Sequence, residues 1–445
     1  MSGKAPKIVV TPPGPEAEAW VKRDEAVLAP YNRPFYYHMV VADGEGAVVR
    51  DVDGNEYIDW NSGLGVLNVG QCHPKIVEAA VSQVKRFMHY SYTDFRYREP
   101  VELCERLNKI LPFKAKFFLA SGGTEANEAA LKIARHHTKK QLFLGFIGAF
   151  HGRTFGTMSF SSTSPEQRRY FHPMVPGVVL APYAYCYRCP FKLEYPECNM
   201  WCVDFIETWL FDRFVPTEEV AGLLFESIQG ENGYIVPPPE FVPGLRRLAD
   251  KYGFLMIDDE IQVGMGRTGK FLAIEHFDVV PDIVTMAKGI GGGLPLSVTA
   301  VRSDVLDLAP GSHCTTTGGS PVSCAAAQAT LDVLFGEKLM DKATELGEYT
   351  MGRLKEMQEK YNIMGDVRGK GLAMAIELVR NRKTKEPAPG KEFIARMFKK
   401  GVLMVTGGFA VRIFPPLVIS RELMDSSLDI FEDVVKEFDK EYYKP

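Results

Sequence analysis

"DIVTMAKGIGGGLPLSVTAV", residues Asp282–Val301, opens as an apolar run, meets one lysine at Lys288 and passes through four glycines in the next five residues. From Leu294 to Val301 it resumes a composition of strand type, "LPLSVTAV". Strand, lysine, glycine loop and strand is not a nucleotide fingerprint, because the dinucleotide and P-loop signatures both need a helix after their glycines. The loop reads instead as space cleared around Lys288 and whatever that ammonium group holds.

Outward from this stretch, short apolar runs alternate with amphipathic segments from Lys114 to Val301: "KFFLA", "LFLGFIG", "VAGLLFE" and "GFLMIDDE" precede "DIVTMAK". That alternation predicts an α/β fold with a mostly parallel sheet covered by helices on both faces. After about residue 330 the texture changes to a long helix, "KLMDKATELGEYTMGRLKEMQEKY", short strands and a last helix ending at "FEDVVKEFDKEYY". This predicts a separate, smaller α+β lobe. At the other end, the first 30 or so residues are proline-rich and lack a core pattern, so they read as an arm on the body or on a partner subunit. Gly46–Trp60 reads as a hairpin turned at Asp53-Gly54.

The chain has 445 residues, 46% hydrophobic and 24% charged, which suits a compact enzyme-like body. A formal net charge of -4 gives no global positive field to collect nucleic acid or anionic membrane. No run reaches the roughly 20 apolar residues of a membrane span, and the first residues hold no apolar core of signal-peptide length. A cytoplasmic protein is expected. Eight cysteines in this length do not describe a disulfide scaffold.

In an open α/β sheet the ligand lies beyond the carboxyl ends of the strands, so the residues closing each apolar run carry the information. "FFLASGGTEANEAALKIARHH" turns through Ser121-Gly122-Gly123-Thr124 into a helix, where free N–H groups and the positive end of the dipole seat a phosphate. "GFIGAFHGRT" delivers Phe150, His151 and Arg153, and an aromatic ring there can stack on a planar ligand. "GLLFESIQGENG" supplies Glu226 and Glu231, and "FLMIDDEIQVGMGRTG" supplies Asp258, Asp259 and Glu260 directly after four apolar residues. Burying unpaired carboxylates is expensive, so at least one of these acids needs a cationic partner. Each motif alone has a plainer reading: a capped turn, a structural histidine, a solvated arginine, a helix N-cap at Asp258. Taken together, a lysine, a phosphate seat, an aromatic platform and a buried acid describe a site for pyridoxal 5'-phosphate. The amine forms a Schiff base with the aldehyde, and the carboxylate keeps the pyridine nitrogen protonated.

The sequence also resembles the class III, ω-amino acid branch of the fold-type I pyridoxal-phosphate aminotransferases, the group of 4-aminobutyrate, ornithine and acetylornithine aminotransferases. The resemblance runs from "VVRDVDGNEYIDW" to "VRIFPPLVI" and is strongest in "FLMIDDEIQVGMGRTGKF" and "PDIVTMAKGIGGGLPL". It implies Lys288 as the Schiff-base lysine, Asp259 on the pyridine nitrogen, Gln262 on the ring hydroxyl, Gly123 and Thr124 on the phosphate and Phe150 on the ring face. His151 and Glu226 belong to the same cofactor-binding set. "TTGGSP" resembles the segment that lends a phosphate contact to the neighbouring subunit, here Thr316, which implies a homodimer or dimer of dimers with shared sites. For substrates, Arg412 resembles the arginine that grips an α-carboxylate, Glu231 the acid that covers it, and Arg153 a second carboxylate-binding arginine. The implied reaction moves the amino group of an ω-amino acid to an oxo acid, 2-oxoglutarate, with a racemase or epimerase of the same family as the alternative. Departures at Gln71, Ser320 and Phe409 from the family's pattern bear on substrate identity and spare the cofactor residues. The implied division is 1–75 for arm and hairpin, 76–333 for the large cofactor domain and 334–445 for the small domain.

One segment stands apart. "CYRCPFKLEYPECNMWC", in an insertion spanning 183–203, spaces Cys186, Cys189, Cys198 and Cys202 as C-x2-C-x8-C-x3-C. Paired thiolates at such spacing resemble a structural zinc or iron–sulfur knuckle; two disulfides or four reduced thiols are the competing readings.

Overall fold

The computed structural model describes residues 5–30 and 36–444; residues 1–4 and 31–35 of the expected N-terminal segment, and residue 445, lie outside the described residues. Three short strands, β1 (Val41–Glu45), β2 (Val48–Asp51) and β3 (Glu56–Asp59), form an antiparallel unit, with Val48 opposite Ile58. Asp51 closes the β2–β3 turn by accepting the N–H groups of Asp53 and Asn55. Asn55 and Asp53 in turn fasten the arm: Asn55 Oδ1 accepts from Val9 and Val10, and the Asp53 carboxylate caps the helix Pro15–Val27 through Glu16 and Ala17. The described part of the arm is thus fastened to the chain's own hairpin.

Each apolar run quoted above becomes a strand of one seven-stranded sheet. Its strands are β4 (Ala115–Ala120), β5 (Leu142–Phe146), β6 (Val178–Ala181), β7 (Val220–Phe225), β8 (Leu255–Asp259), β9 (Ile283–Met286) and β10 (Ser297–Arg302), in the order β4-β10-β9-β8-β7-β5-β6. β6, β5, β7, β8 and β9 run parallel, and only β10 is antiparallel to both its neighbours. β7 and β9 are buried along their whole length, as strands covered on both faces must be. The fold is therefore α/β with a mostly parallel central sheet, and the carboxyl ends of β5, β7, β8 and β9 open on one edge.

The C-terminal strands β11 (Met364–Lys370), β12 (Ala373–Asn381), β13 (Glu386–Pro387), β14 (Val402–Leu403), β15 (Val405–Gly407) and β16 (Ala410–Ile413) follow the helix Leu339–Lys360. β11, β12, β16 and β15 form a second antiparallel sheet, with β13 at its margin, while β14 pairs in parallel with β3. The N-terminal hairpin and the C-terminal chain thus share a sheet. Arg267, from the "GMGRTG" run after β8, is fully buried where these parts meet. It donates to Leu372 O, Pro415 O, Ser62 Oγ and Asn68 Oδ1, so one cation satisfies acceptors from three stretches of chain.

Candidate active site

β9 ends at Met286, and the chain enters a short 3-10 turn at Lys288–Gly291. Lys288 starts that turn at φ +44°, a left-handed conformation that costs a side-chain-bearing residue about 1 kcal/mol or more. Glycine would adopt it freely; the chain has a lysine. The side chain lines a cavity of about 370 Å³ at the open edge of the sheet, together with Gly123, Thr124, Phe150, His151, Glu226, Glu231, Asp259 and Gln262. Burial pulls the Lys288 amine below the ordinary lysine range, and the Arg412 guanidinium adds to this; Glu231, Asp259 and Glu226 oppose it.

Asp259 is the last residue of β8 and is nearly inaccessible. Its Oδ2 accepts from Asn127 Nδ2 at 2.8 Å and from His151 Nδ1 at 2.7 Å, and its Oδ1 accepts the Ile261 N–H at 3.0 Å. Since the carboxylate can only accept, His151 carries its proton on Nδ1. Asn127 is oriented by Thr285 Oγ1, which donates to its Oδ1 at 2.7 Å, and by the His151 carbonyl, which accepts from its Nδ2 at 2.9 Å. Asp259 is thus met by His151, Asn127 and the Ile261 backbone, and the His151 ring is itself sealed from solvent.

Asp258 and Glu260 behave differently. The reading of Asp258 as a solvated N-cap is corrected: both side chains are fully buried, because a strand covered on both faces sends alternate residues into protein either way. They face each other. Burial drives both carboxyls up, Asp258 well above its usual range and Glu260 to about 7, so the pair holds a proton at pH values where an exposed carboxyl has lost it. An acid raised on folding contributes stability below its unfolded pKa and loses it as pH rises toward the folded value. The protein's unfolding free energy should therefore fall with rising pH between about 4 and 7 partly through this proton. In Asp258→Asn, whose amide donates permanently, the slope measured by denaturant titration should be shallower by up to about 1.4 kcal/mol per pH unit. An unchanged slope would show that Asp258 is ionised in the native protein.

The helix Gly123–Thr138 starts at the cavity wall. Glu125 Oε2 accepts the N–H groups of Ser121 at 3.0 Å and Gly122 at 2.7 Å, which leaves the first-turn amides of Gly123 and Thr124 at the positive end of the dipole. Thr124 Oγ1 is held at 2.7 Å by both Thr154 Oγ1 and Thr157 Oγ1. The loop carrying Phe150 and His151 packs onto them at Gly152, φ +134°, where any Cβ would collide with the hydroxyls of Thr124 and Thr157. Glu226 ties this loop to the next: its Oε1 accepts the Phe150 N–H at 2.9 Å and its Oε2 the Gly230 N–H at 2.8 Å. Burial raises its carboxyl to about 7, with the His151 side chain opposing the shift.

Arg412, on β16, is buried behind the cavity wall, bonded to two of the residues that line it. Its Nη1 donates to Glu231 Oε2 at 2.9 Å and to Gln262 Oε1 at 3.3 Å, its Nη2 donates to Thr406 O at 3.2 Å, and its Nε has no partner. Tyr36 reaches Arg412 as well; burial raises its phenol, and a hydrogen bond from Arg412 opposes this. Arg153 is exposed, with its guanidinium carbon 5.1 Å from the centre of the Phe150 ring, outside the cavity lining but on its margin. Thr316 is exposed and takes no part in lining this chain's own cavity. The sequence reading did not find Asn127 or Tyr36. Asn127 sits in an ordinary helical run, and Tyr36 in an aromatic cluster, "FYY", with no motif around it.

The metal expectation for Cys186, Cys189, Cys198 and Cys202 is corrected. Among the described residues no group of three or more His, Cys, Asp or Glu side chains is placed to hold a metal ion, and all four cysteines are free thiols. They line one small cavity of about 20 Å³, where burial first and neighbouring thiols second push Cys186 up to about 11 and Cys202 to about 12.

The family profile of class III aminotransferases matches residues 30–435. The alanine/serine racemase of Pyrococcus horikoshii is 36% identical over 97% of this chain and 93% of its own. The probable 4-aminobutyrate aminotransferase of Bacillus subtilis is 37% identical over 87% of this chain and 91% of its own. Among solved structures, the ornithine aminotransferase of Toxoplasma gondii superposes with a TM-score of 0.84 at 30% identity, covering 96% of each chain. With this profile and these relatives matched along most of its length, on a fold shared with a solved ornithine aminotransferase, the chain belongs to the class III aminotransferases.

Proposed function

We propose that the protein transfers the amino group of an ω-amino acid to an oxo acid, 2-oxoglutarate, and that the Glu231–Arg412 pair beside Lys288 is what lets one cavity take both. The pair carries the proposal. An arginine that must bind an α-carboxylate in one half of a cycle and no carboxylate in the other needs a removable counter-charge, since a bare buried guanidinium is costly. Glu231 is that counter-charge, with 27% of its side chain accessible beside an Arg412 side chain at 2%.

The cavity fits pyridoxal phosphate on its own chemistry. The unpaired first-turn amides of Gly123 and Thr124 suit the phosphate, and Asp259, held by Asn127 and His151, offers fixed negative charge to the pyridine nitrogen. Phe150 supplies the ring platform and Gln262 a partner for the ring hydroxyl, with Glu226 setting the loops that carry them. When bound, the cofactor supplies an electron sink for a carbanion at the amine-bearing carbon. Lys288 would hold the aldehyde carbon of the resting cofactor and, once a donor amine has replaced it there, its freed Nζ would move the proton, a role suited to an amine that burial keeps below its usual pKa. Arg153 and Tyr36 orient the distal carboxylate, and Arg412 takes the α-carboxylate of glutamate. We take the working assembly to be a homodimer or dimer of dimers to which Thr316 contributes across the interface. The division at residues 75 and 333 is its domain plan and the cytoplasm its place; among the described residues no helix is long and apolar enough to cross a membrane.

Mixing the cofactor-loaded protein with a panel of ω-amino acids and with glutamate, and following the visible spectrum of each half-reaction, tests this. Conversion by both classes is expected; conversion by α-amino acids alone would remove the proposal. A second reading, racemisation of an α-amino acid, is favoured by the similarity to the Pyrococcus horikoshii racemase, 36% over 97% of this chain against 37% over 87% for the aminotransferase. Loss of optical purity of one amino acid incubated without any oxo acid would select it.

A further inference from the structure

The turn that carries Glu231 and the hairpin that carries Arg412 meet backbone to backbone. A side chain at Gly407 would run into Glu231 O and Arg412 Nε, one at Gly408 into Asn232, and one at Gly233 into Ala410, Gly407 O and Arg368 at 3.0 Å each. Every contact across this joint is tight, so the position of Glu231 over Arg412 depends on how the joint is held.

Glu377 lies beside that joint, on β12 opposite Ala410. Its side chain is fully buried and receives two arginines, Arg188 Nε at 2.7 Å and Arg368 Nη1 at 2.9 Å. Each arginine then grips one half of the joint. Arg368 Nε donates to Gly233 O at 2.8 Å, two residues past Glu231. The Arg188 guanidinium lies 4.4 Å from the ring centre of Phe409 at the tip of the Arg412 hairpin, and its Nη2 donates to Lys385 O at 2.7 Å. Arg188 belongs to the turn Cys186–Arg188 of the cysteine-rich segment, which gives that insertion a task that needs no metal. Lys385 fastens the same turn through Tyr187 O at 2.6 Å.

We propose that Arg188, Glu377 and Arg368 form a clamp of positioning residues that fixes Glu231 against Arg412 and so sets the preference between substrates with and without an α-carboxylate. This rests on the two-substrate reading of the Glu231–Arg412 pair. Glu377, the acid that joins the two arginines, is sealed while Glu231 is partly open, so a substrate carboxylate can displace the Glu231 side chain without reaching the acid that holds the joint beneath it. Loosening the clamp leaves Arg412 without a fixed counter-charge. The step that suffers is the one in which Arg412 must stay covered, the reaction with an ω-amino monocarboxylate; glutamate brings its own carboxylate and is spared.

The test is a double-mutant cycle on the holoenzyme. Glu377→Gln should lower kcat/KM for the ω-amino donor by about tenfold or more while changing the glutamate half-reaction less than about threefold. In a Glu231→Gln background the same change should have no further effect, because its route is already cut; general structural damage would instead add. Calorimetry with glutarate, a dicarboxylate with no amino group, reads the clamp without turnover: Glu377→Gln and Glu231→Gln should each tighten binding, and the pair together no more than either alone. Arg188→Lys, which keeps a cation on Glu377, should restore the wild-type ratio that Arg188→Gln loses. Equal losses with both substrates, additive effects, or unchanged glutarate affinity would overturn the clamp. Failure of the wild-type protein to react with any ω-amino acid would overturn the two-substrate reading instead, and the glutarate measurement would still decide the clamp.

Discussion

Replacing Lys288 with alanine is expected to abolish the visible absorption that the lysine gives the loaded enzyme and to cut turnover by about 10⁴-fold or more, since both the attachment point and the proton carrier are lost together. Two features of the structure make this the largest effect in the molecule. The amine is buried, and desolvation holds its pKa below the ordinary lysine range, which favours the unprotonated form that attacks or accepts a proton. Among the described residues no other lysine lines the cavity that could stand in. The fold should not suffer, because alanine removes a buried amine and leaves a backbone that already tolerates φ +44°. Thermal unfolding of the cofactor-free variant should match or exceed wild type, a sign that the native residue costs stability where function needs it. A wild-type spectrum in the variant would place the reactive amine elsewhere.

Asp259→Asn carries the second largest expectation. The side chain keeps its size but loses its charge, and the amide cannot meet three donors with one oxygen. Asn127 and His151 both donate to Oδ2 and the Ile261 N–H donates to Oδ1, so one of these positions must present an NH₂ group to another donor. Turnover at saturating cofactor should fall about 10² to 10³-fold, the scale of losing one preorganised electrostatic partner. The cofactor-free protein should lose about 1 to 3 kcal/mol from the unsatisfied donor. Steady-state rates and denaturant titration measure the two losses separately. A variant within threefold of wild type in turnover would show that the charge at position 259 does not act on the reaction.

The parts of this site written in short stretches were legible from sequence. Lys288 and Asp259 each end a run of apolar residues, and on a parallel sheet the end of such a run faces the ligand edge. The fold followed from the same runs, except β6, whose four residues, "VVLA", are too short to stand out and gain their identity only from pairing with β5. Asp258 was harder, since period-two alternation says which residues part company but not that both sides of the strand are covered. The clamp was beyond reach. Arg188 and Glu377 are 189 positions apart, and nothing near either marks it as a partner of the other. The cysteine spacing suggested a ligand set, whereas the anchoring of Arg188 comes from three-dimensional placement alone.

The pairing of β14 with β3 bears on how the protein is made. Ser62, just after the N-terminal hairpin, donates to Phe414 O across 352 positions of sequence, and the backbone of Ile58 is bonded to Gly401. While the ribosome is still translating, this early hairpin waits with one open edge until nearly the whole chain has emerged. Closure of so distant a contact is slow, and an uncovered strand edge invites pairing with other nascent chains. Yield in a cell should therefore be governed by how well that edge is shielded before residue 402 arrives.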